Sequence, residues 1–142
     1  MEFDVLGDLN WLAVIVAAVA YFALGALWYS PPFLGKAWMR ATGFKEPEKG
    51  EGPGAAIYAA PFVGCLVATV ATGMLAAATG SNTVSKGLVL GLVVGIGYAV
   101  AVIGTGAVFE TDKPEPKTWF VITAGYHLVG LLIASIIVSA WD

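Results

Sequence analysis

All seventeen Lys, Arg, Asp and Glu residues lie outside four apolar stretches, about Asn10–Ser30, Ala55–Thr79, Gly87–Phe109 and Thr118–Trp141. Each exceeds the roughly 20 residues that a helix needs to cross a hydrocarbon core. A backbone in lipid has no water to bond, so such a segment must satisfy its own amides and carbonyls, which makes it a helix. The pattern predicts an all-α polytopic membrane protein: a four transmembrane helix bundle forming a single domain over residues 1–142. Composition agrees, with 58% hydrophobic and 12% charged residues against the roughly 25% charged of a soluble domain. Outside the spans there remain one longer connection, two short ones and two short tails, so no separate soluble domain is expected.

The charges sort by side. Lys36, Arg40, Lys45 and Lys49 follow the first span, Lys113 and Lys117 follow the third, and only Lys86 lies on the other side. Lys and Arg in short loops set orientation, so the loops Pro31–Gly54 and Glu110–Lys117 are expected in the cytoplasm and both termini outside it. Glu2, Asp4 and Asp8 precede the first span without a basic residue, unlike the positive start of a secretory signal. The first span is therefore expected to be retained.

Pro31-Pro32 stops the first helix, because proline lacks the amide donor and restricts its predecessor. A short interfacial amphipathic helix is expected over about 32–42. Phe33, Leu34, Ala37, Trp38 and Ala41 share one face, Lys36 and Arg40 share another, and Gly43 terminates it. Lys36, Trp38 and Arg40 are the expected contacts with membrane lipids, the ring at headgroup depth and the cations on lipid phosphates. Lys45–Gly54, charged and rich in Gly and Pro, is expected to be a mobile linker.

The runs Asn10-Trp11-Leu12-Ala13-Val14, Leu24-Gly25-Ala26-Leu27-Trp28-Tyr29-Ser30-Pro31 and Phe33-Leu34-Gly35-Lys36-Ala37-Trp38-Met39 are distinctive. They resemble the domain-of-unknown-function 1761 family. That resemblance implies a small, four-span membrane protein, mostly bacterial in occurrence and without an established activity, and hence a place in a bacterial plasma (inner) membrane. It is strongest over residues 10–40; the later spans match in order, length and glycine content.

Span three carries the clearest packing signal. Gly87, Gly91 and Gly95 recur every four residues, Tyr98, Val102 and Thr105 continue that face, and Gly97, Ala101 and Gly104 form a second stripe. Small residues let helices in lipid approach closely, so this span is expected to touch two neighbours, within the protomer or across a homo-oligomer. Inward stripes are also expected on span one (Asn10, Val14, Ala17, Tyr21, Gly25, Trp28), span two (Cys65, Ala68, Thr69, Thr72, Ala76) and span four (Trp119, Thr123, His127, Gly130, Ala134).

His127 is the only histidine, and inside a span it is the one side chain that titrates near neutrality. Counting about 1.5 Å per residue puts it near the midplane with Tyr21 and Tyr98, while Cys65 or Thr69 could approach from span two. Tyr21, Thr69, Tyr98 and His127 are thus the candidate ligand or proton site. Neutral imidazole and tyrosine hydroxyls can also satisfy one another with no ligand at all.

Other chemistries are disfavoured. Cys65 is a lone cysteine and His127 a lone histidine, so neither a disulfide nor a metal centre is expected. No cofactor is implied. No serine has a base and an orienting acid at the depth of His127, so an enzyme is not expected. The cytoplasmic cations are matched by nearby acids, which argues against a nucleic-acid partner. Two function classes stand: a non-enzymatic bundle component that self-associates or joins a larger membrane complex, and a small transporter, channel or ligand sensor built around His127.

Overall fold

The computed structural model describes residues 2–45 and 54–141. The expected linker Lys45–Gly54, with Lys49, lies outside the described residues except for its two ends. In chain order come a 3-10 turn (Phe3–Gly7), α1 (Trp11–Trp28), a tight turn (Pro31–Gly35), α2 (Lys36–Thr42), α3 (Ala56–Thr79), α4 (Val84–Val94), a π-helical turn (Gly95–Val100), α5 (Ala101–Phe109) and α6 (Pro116–Ala140). Among the described residues there is no strand. Helix α4, the π-helical turn and α5 run on as one span, Val84–Phe109. With α1, α3 and α6 it gives four helices long and apolar enough to cross a bilayer, so the chain is a multi-pass membrane protein with an all-α bundle and one short extra helix.

Local chemistry sets the ends. Asn10 caps α1 by accepting from the Ala13 amide at 3.1 Å, and its side-chain amide donates to the Trp141 carbonyl at 2.7 Å. That pair ties the start of the first span to the end of the last, so both chain ends meet at one end of the bundle. The third span begins at Val84, ahead of the expected Gly87, because Thr83 caps it by accepting from the Lys86 amide at 3.3 Å. Lys86 is tolerated in the first turn because its ammonium donates to the Gly80 carbonyl at 2.8 Å and to Asn82 at 3.0 Å. Helix α6 starts at Pro116, where a missing amide costs nothing.

Helix α6 is the most buried of the four spans. It packs against α1, α2, α3, α4, the π-helical turn and α5, whereas α3 and α4 touch only marginally. The expected single inward stripe of span four is therefore too narrow: Ile122, Ala124, Tyr126, Leu131, Ser135, Val138 and Ser139 are buried as well. Along α4 the approach is close. A Cβ added to Gly91 would lie 2.9 Å from the Leu132 Cα, and one on Gly87 would lie 2.8 Å from the Ser135 carbonyl oxygen.

The π-helical turn rotates the second half of the span. An i→i+5 turn holds one residue more than an α-turn and so advances the register of the helix by about one position. The Ala101 amide accordingly reaches back to the Ile96 carbonyl. Tyr98 and Val102, expected to continue the inward face of Gly87, Gly91 and Gly95, are swung outward and are 68% and 69% exposed. Ala99 and Ile103 are half-buried in their place.

Helix α2 closes on the protein. Ala41 is fully buried, its carbonyl accepts from the Glu115 amide at 3.2 Å, and Arg40 pairs with Glu115 at 3.3 Å. Gly43 ends the helix at a φ of 70°, a left-handed conformation that glycine adopts without a Cβ clash. Before it, the chain turns so tightly that a Cβ on Gly35 would collide with the Tyr29 carbonyl.

Candidate functional site

At mid-bundle, the Tyr21 hydroxyl and the Nδ1 of His127 form a hydrogen bond of 2.6 Å, a contact across 106 positions of sequence. Either the phenol donates to a bare Nδ1 or it accepts from a protonated one, and both arrangements leave the pair neutral. Tyr21 is buried and reaches this point because Gly130 of α6 leaves room for it; any Cβ there would enter the ring. Tyr126 lies beside the pair. Its ring centroid is 4.7 Å from that of His127, 5.4 Å from Tyr21 and 5.3 Å from Tyr29. The Tyr126 hydroxyl donates to the Tyr21 carbonyl and sits beside the Cys65 sulfur, both at 3.4 Å.

The structure thus brings Tyr21 and His127 together, with Cys65 near, and leaves two of the expected residues out. Tyr98 faces away because the π-helical turn has rotated it outward, and among the described residues it has no hydrogen-bond partner. Thr69 is fully buried, but its hydroxyl donates at 2.7 Å to the Cys65 carbonyl one turn earlier in α3, so it serves its own helix. Tyr126 was missed. It neighbours His127 in sequence, and helical spacing puts adjacent residues about 100° apart. Only a helix buried on two faces brings both to the same cluster.

Tyr126 also forms part of the wall of a cavity. A space of about 660 Å³ opens between the end of α1, the start of α3, α2 and the start of α6. Its aromatic walls are Phe22, Tyr29, Trp38, Tyr58, Trp119 and Tyr126, and among the described residues no charged one lines it. The Thr123 hydroxyl is buried in the wall and, among the described residues, makes no hydrogen bond of normal geometry. Trp38 was expected among lipids; it lines this space and its ring meets those of Tyr29 and Phe44, each at 5.6 Å. Arg40 is held by Glu115, while Lys36 is exposed.

A family model described as a protein of unknown function (DUF1761) matches residues 12–139. The chain belongs to the DUF1761 family. No curated protein and no solved structure matches this DUF1761 chain. The matched segment takes in all four spans but for Trp11 and Ala140 at their outer ends, together with the Tyr21–His127 pair and the aromatic walls of the cavity.

A third feature is the outward face of the third span in this DUF1761 protein. Gly97, Ala101 and Thr105, spaced by four, are all exposed, and a Cβ on Gly97 would meet nothing within 4 Å. Beside them an apolar groove of about 470 Å³ runs between α3 and the third span, with Tyr98 on its edge.

Proposed function

We propose that this protein is a non-enzymatic membrane component that self-associates through the outward face of its third span. The observation that carries this reading is Tyr98. It lies 14 residues from Val84 and 11 from Phe109, so about 16 Å separates it from the nearer helix end at 1.5 Å per residue. A phenol cannot reach headgroup water from there, and in hydrocarbon only another protein group can pair its hydroxyl. A second copy would supply one. The small stripe Gly97, Ala101 and Thr105 beside it lets a helix approach closely enough for dispersion and interhelical hydrogen bonds, the forces that drive association in lipid.

The same reading takes Tyr21–His127 as an internal lock. It fixes the register of α1 against α6 with both polar groups satisfied, and it requires no ion or proton path. The orientation proposed is both termini outside the cytoplasm, in a bacterial inner membrane. The six-to-one division of Lys and Arg supports that side, and the Asn10–Trp141 contact supports a common side for the two ends.

Single-molecule photobleaching of the labelled protein at low density in bilayers tests the proposal. Wild-type protein is expected to bleach in two or more steps and Gly97→Leu in one. Monomeric wild-type protein at all densities would overturn it.

A further inference from the structure

We propose that the aromatic cavity is a binding site for an uncharged, ring-bearing apolar molecule taken up from the bilayer. This goes beyond self-association, because the cavity lies at the α2 end of the bundle and shares no residue with the Tyr98 face.

Size is the first argument. A space of about 660 Å³ falls within the roughly 300–1,000 Å³ of pockets that enclose small molecules. In a well-packed bundle that space would be filled by side chains. Here it is kept open by the way its walls are held. The Trp38 and Tyr29 rings meet edge to face at 71°, Tyr29 and Tyr126 at 66°, and the tight turn at Gly35 fixes α2 under the end of α1. Rings supported by other rings cannot collapse inward without losing those contacts.

The chemistry of the wall defines the ligand. Six aromatic side chains present faces and edges that pair with another ring in offset or edge-on geometry. Among the described residues no acid or base lines the space, so a charged ligand held by them would be desolvated without a counter-charge. A hydrophobic cation could in principle use the ring faces instead. The Lys113 ammonium already covers the Trp119 ring, 4.3 Å from its centroid, so that face is taken; Lys113 is paired with Glu110 and Arg40 with Glu115, and neither acid is free to balance a further cation. An uncharged ring compound meets none of these costs.

The entry is lateral. Tyr58 is 70% and Ile57 42% exposed, and both line the cavity at the start of α3. Ala26 of α1, also exposed, lines the opposite wall. A molecule dissolved in the membrane therefore reaches the rings without passing through water.

Benzophenone, a neutral two-ring ketone that inserts into nearby C–H bonds under ultraviolet light, is the probe. Purified protein in lipid nanodiscs is irradiated with it, and adducts are mapped by mass spectrometry. The expected result is saturable labelling concentrated on cavity residues, reduced at least fivefold by Ala26→Trp and by Ile57→Trp, which fill the space from opposite walls. Each variant is scored only if it elutes like wild type, and their exposed starting positions make the two failures independent. Trimethylammonium and carboxylate derivatives of benzophenone are expected to label the cavity less than a third as much. Adducts spread evenly round the apolar belt, labelling indifferent to both Trp variants, or equal labelling by a charged derivative would overturn the proposal. Loss of dimers in Gly97→Leu with cavity labelling intact would separate this site from the self-association reading.

Discussion

The third span carries two stripes of small residues that look alike as text and differ completely in place. Gly87, Gly91 and Gly95 lie against α6, so close that an added Cβ on Gly95 would be 2.7 Å from the Leu128 side chain. Gly97 and Ala101 face outward, with open space beyond Gly97. Spacing makes the difference: Gly97 lies two residues past Gly95, about 200° round the helix. Small size at the first stripe lets two helices of one chain touch; at the second it leaves a surface on which a helix from another copy can settle.

Substitutions at the two stripes should separate the roles. Gly91→Leu has the largest expected effect. Its side chain has nowhere to go between α4 and α6, and overpacking of this kind destabilises by about 3 kcal/mol. Steric-trap unfolding in bicelles should register that loss, and a variant as stable as wild type would break the comparison. Tyr21→Phe tests the interior without changing volume much. It leaves His127 without its partner and should cost about 1–2 kcal/mol of stability while photobleaching still reports oligomers. Gly97→Leu should do the opposite, leaving unfolding unchanged and weakening association about tenfold, or about 1.4 kcal/mol. Tyr98→Phe is the smallest. Interhelical hydrogen bonds in membranes average about 0.6 kcal/mol, so forced-proximity titration should show roughly a threefold weaker association with the fold intact.

How much of the candidate site was legible depends on what periodicity can and cannot see. Tyr21 and His127 are recoverable from depth alone, because two polar groups counted to the same level of a thin slab have few other partners. Tyr98 satisfies the same count and yet points away. Depth depends on rise along the axis, which a π-helical turn barely alters, whereas facing depends on rotation, which it shifts by a whole residue. Thr69 failed for another reason: a threonine in a helix can bond its own preceding turn, and the pattern of residues does not say which partner it takes. The cavity was not visible at all. Its walls come from four segments, and Trp38 sits in a stretch whose amphipathic pattern suits a lipid surface as well as a protein one.

For the fold as a whole, the exclusion of every charge from four apolar runs determined that the chain crosses a membrane four times as helices, since an unbroken apolar run of more than about 20 residues bonds its backbone in lipid within itself, whereas a barrel strand is shorter and alternates. Gly43 likewise marked the end of the short helix between the first two spans, whereas its start, expected near residue 32, lies at Lys36 because Pro31–Gly35 forms a tight turn. Tertiary structure decided the rest: that α6 is the central helix, that Tyr126 joins Tyr21 and His127, that α2 shuts against Glu115, and that a ring-lined space stays open beneath it. The physical reason is that hydropathy reports only whether a residue prefers lipid or water. In a bundle whose inside and outside are both apolar, that preference hardly distinguishes a buried face from an exposed one, and close packing between specific helices makes the choice.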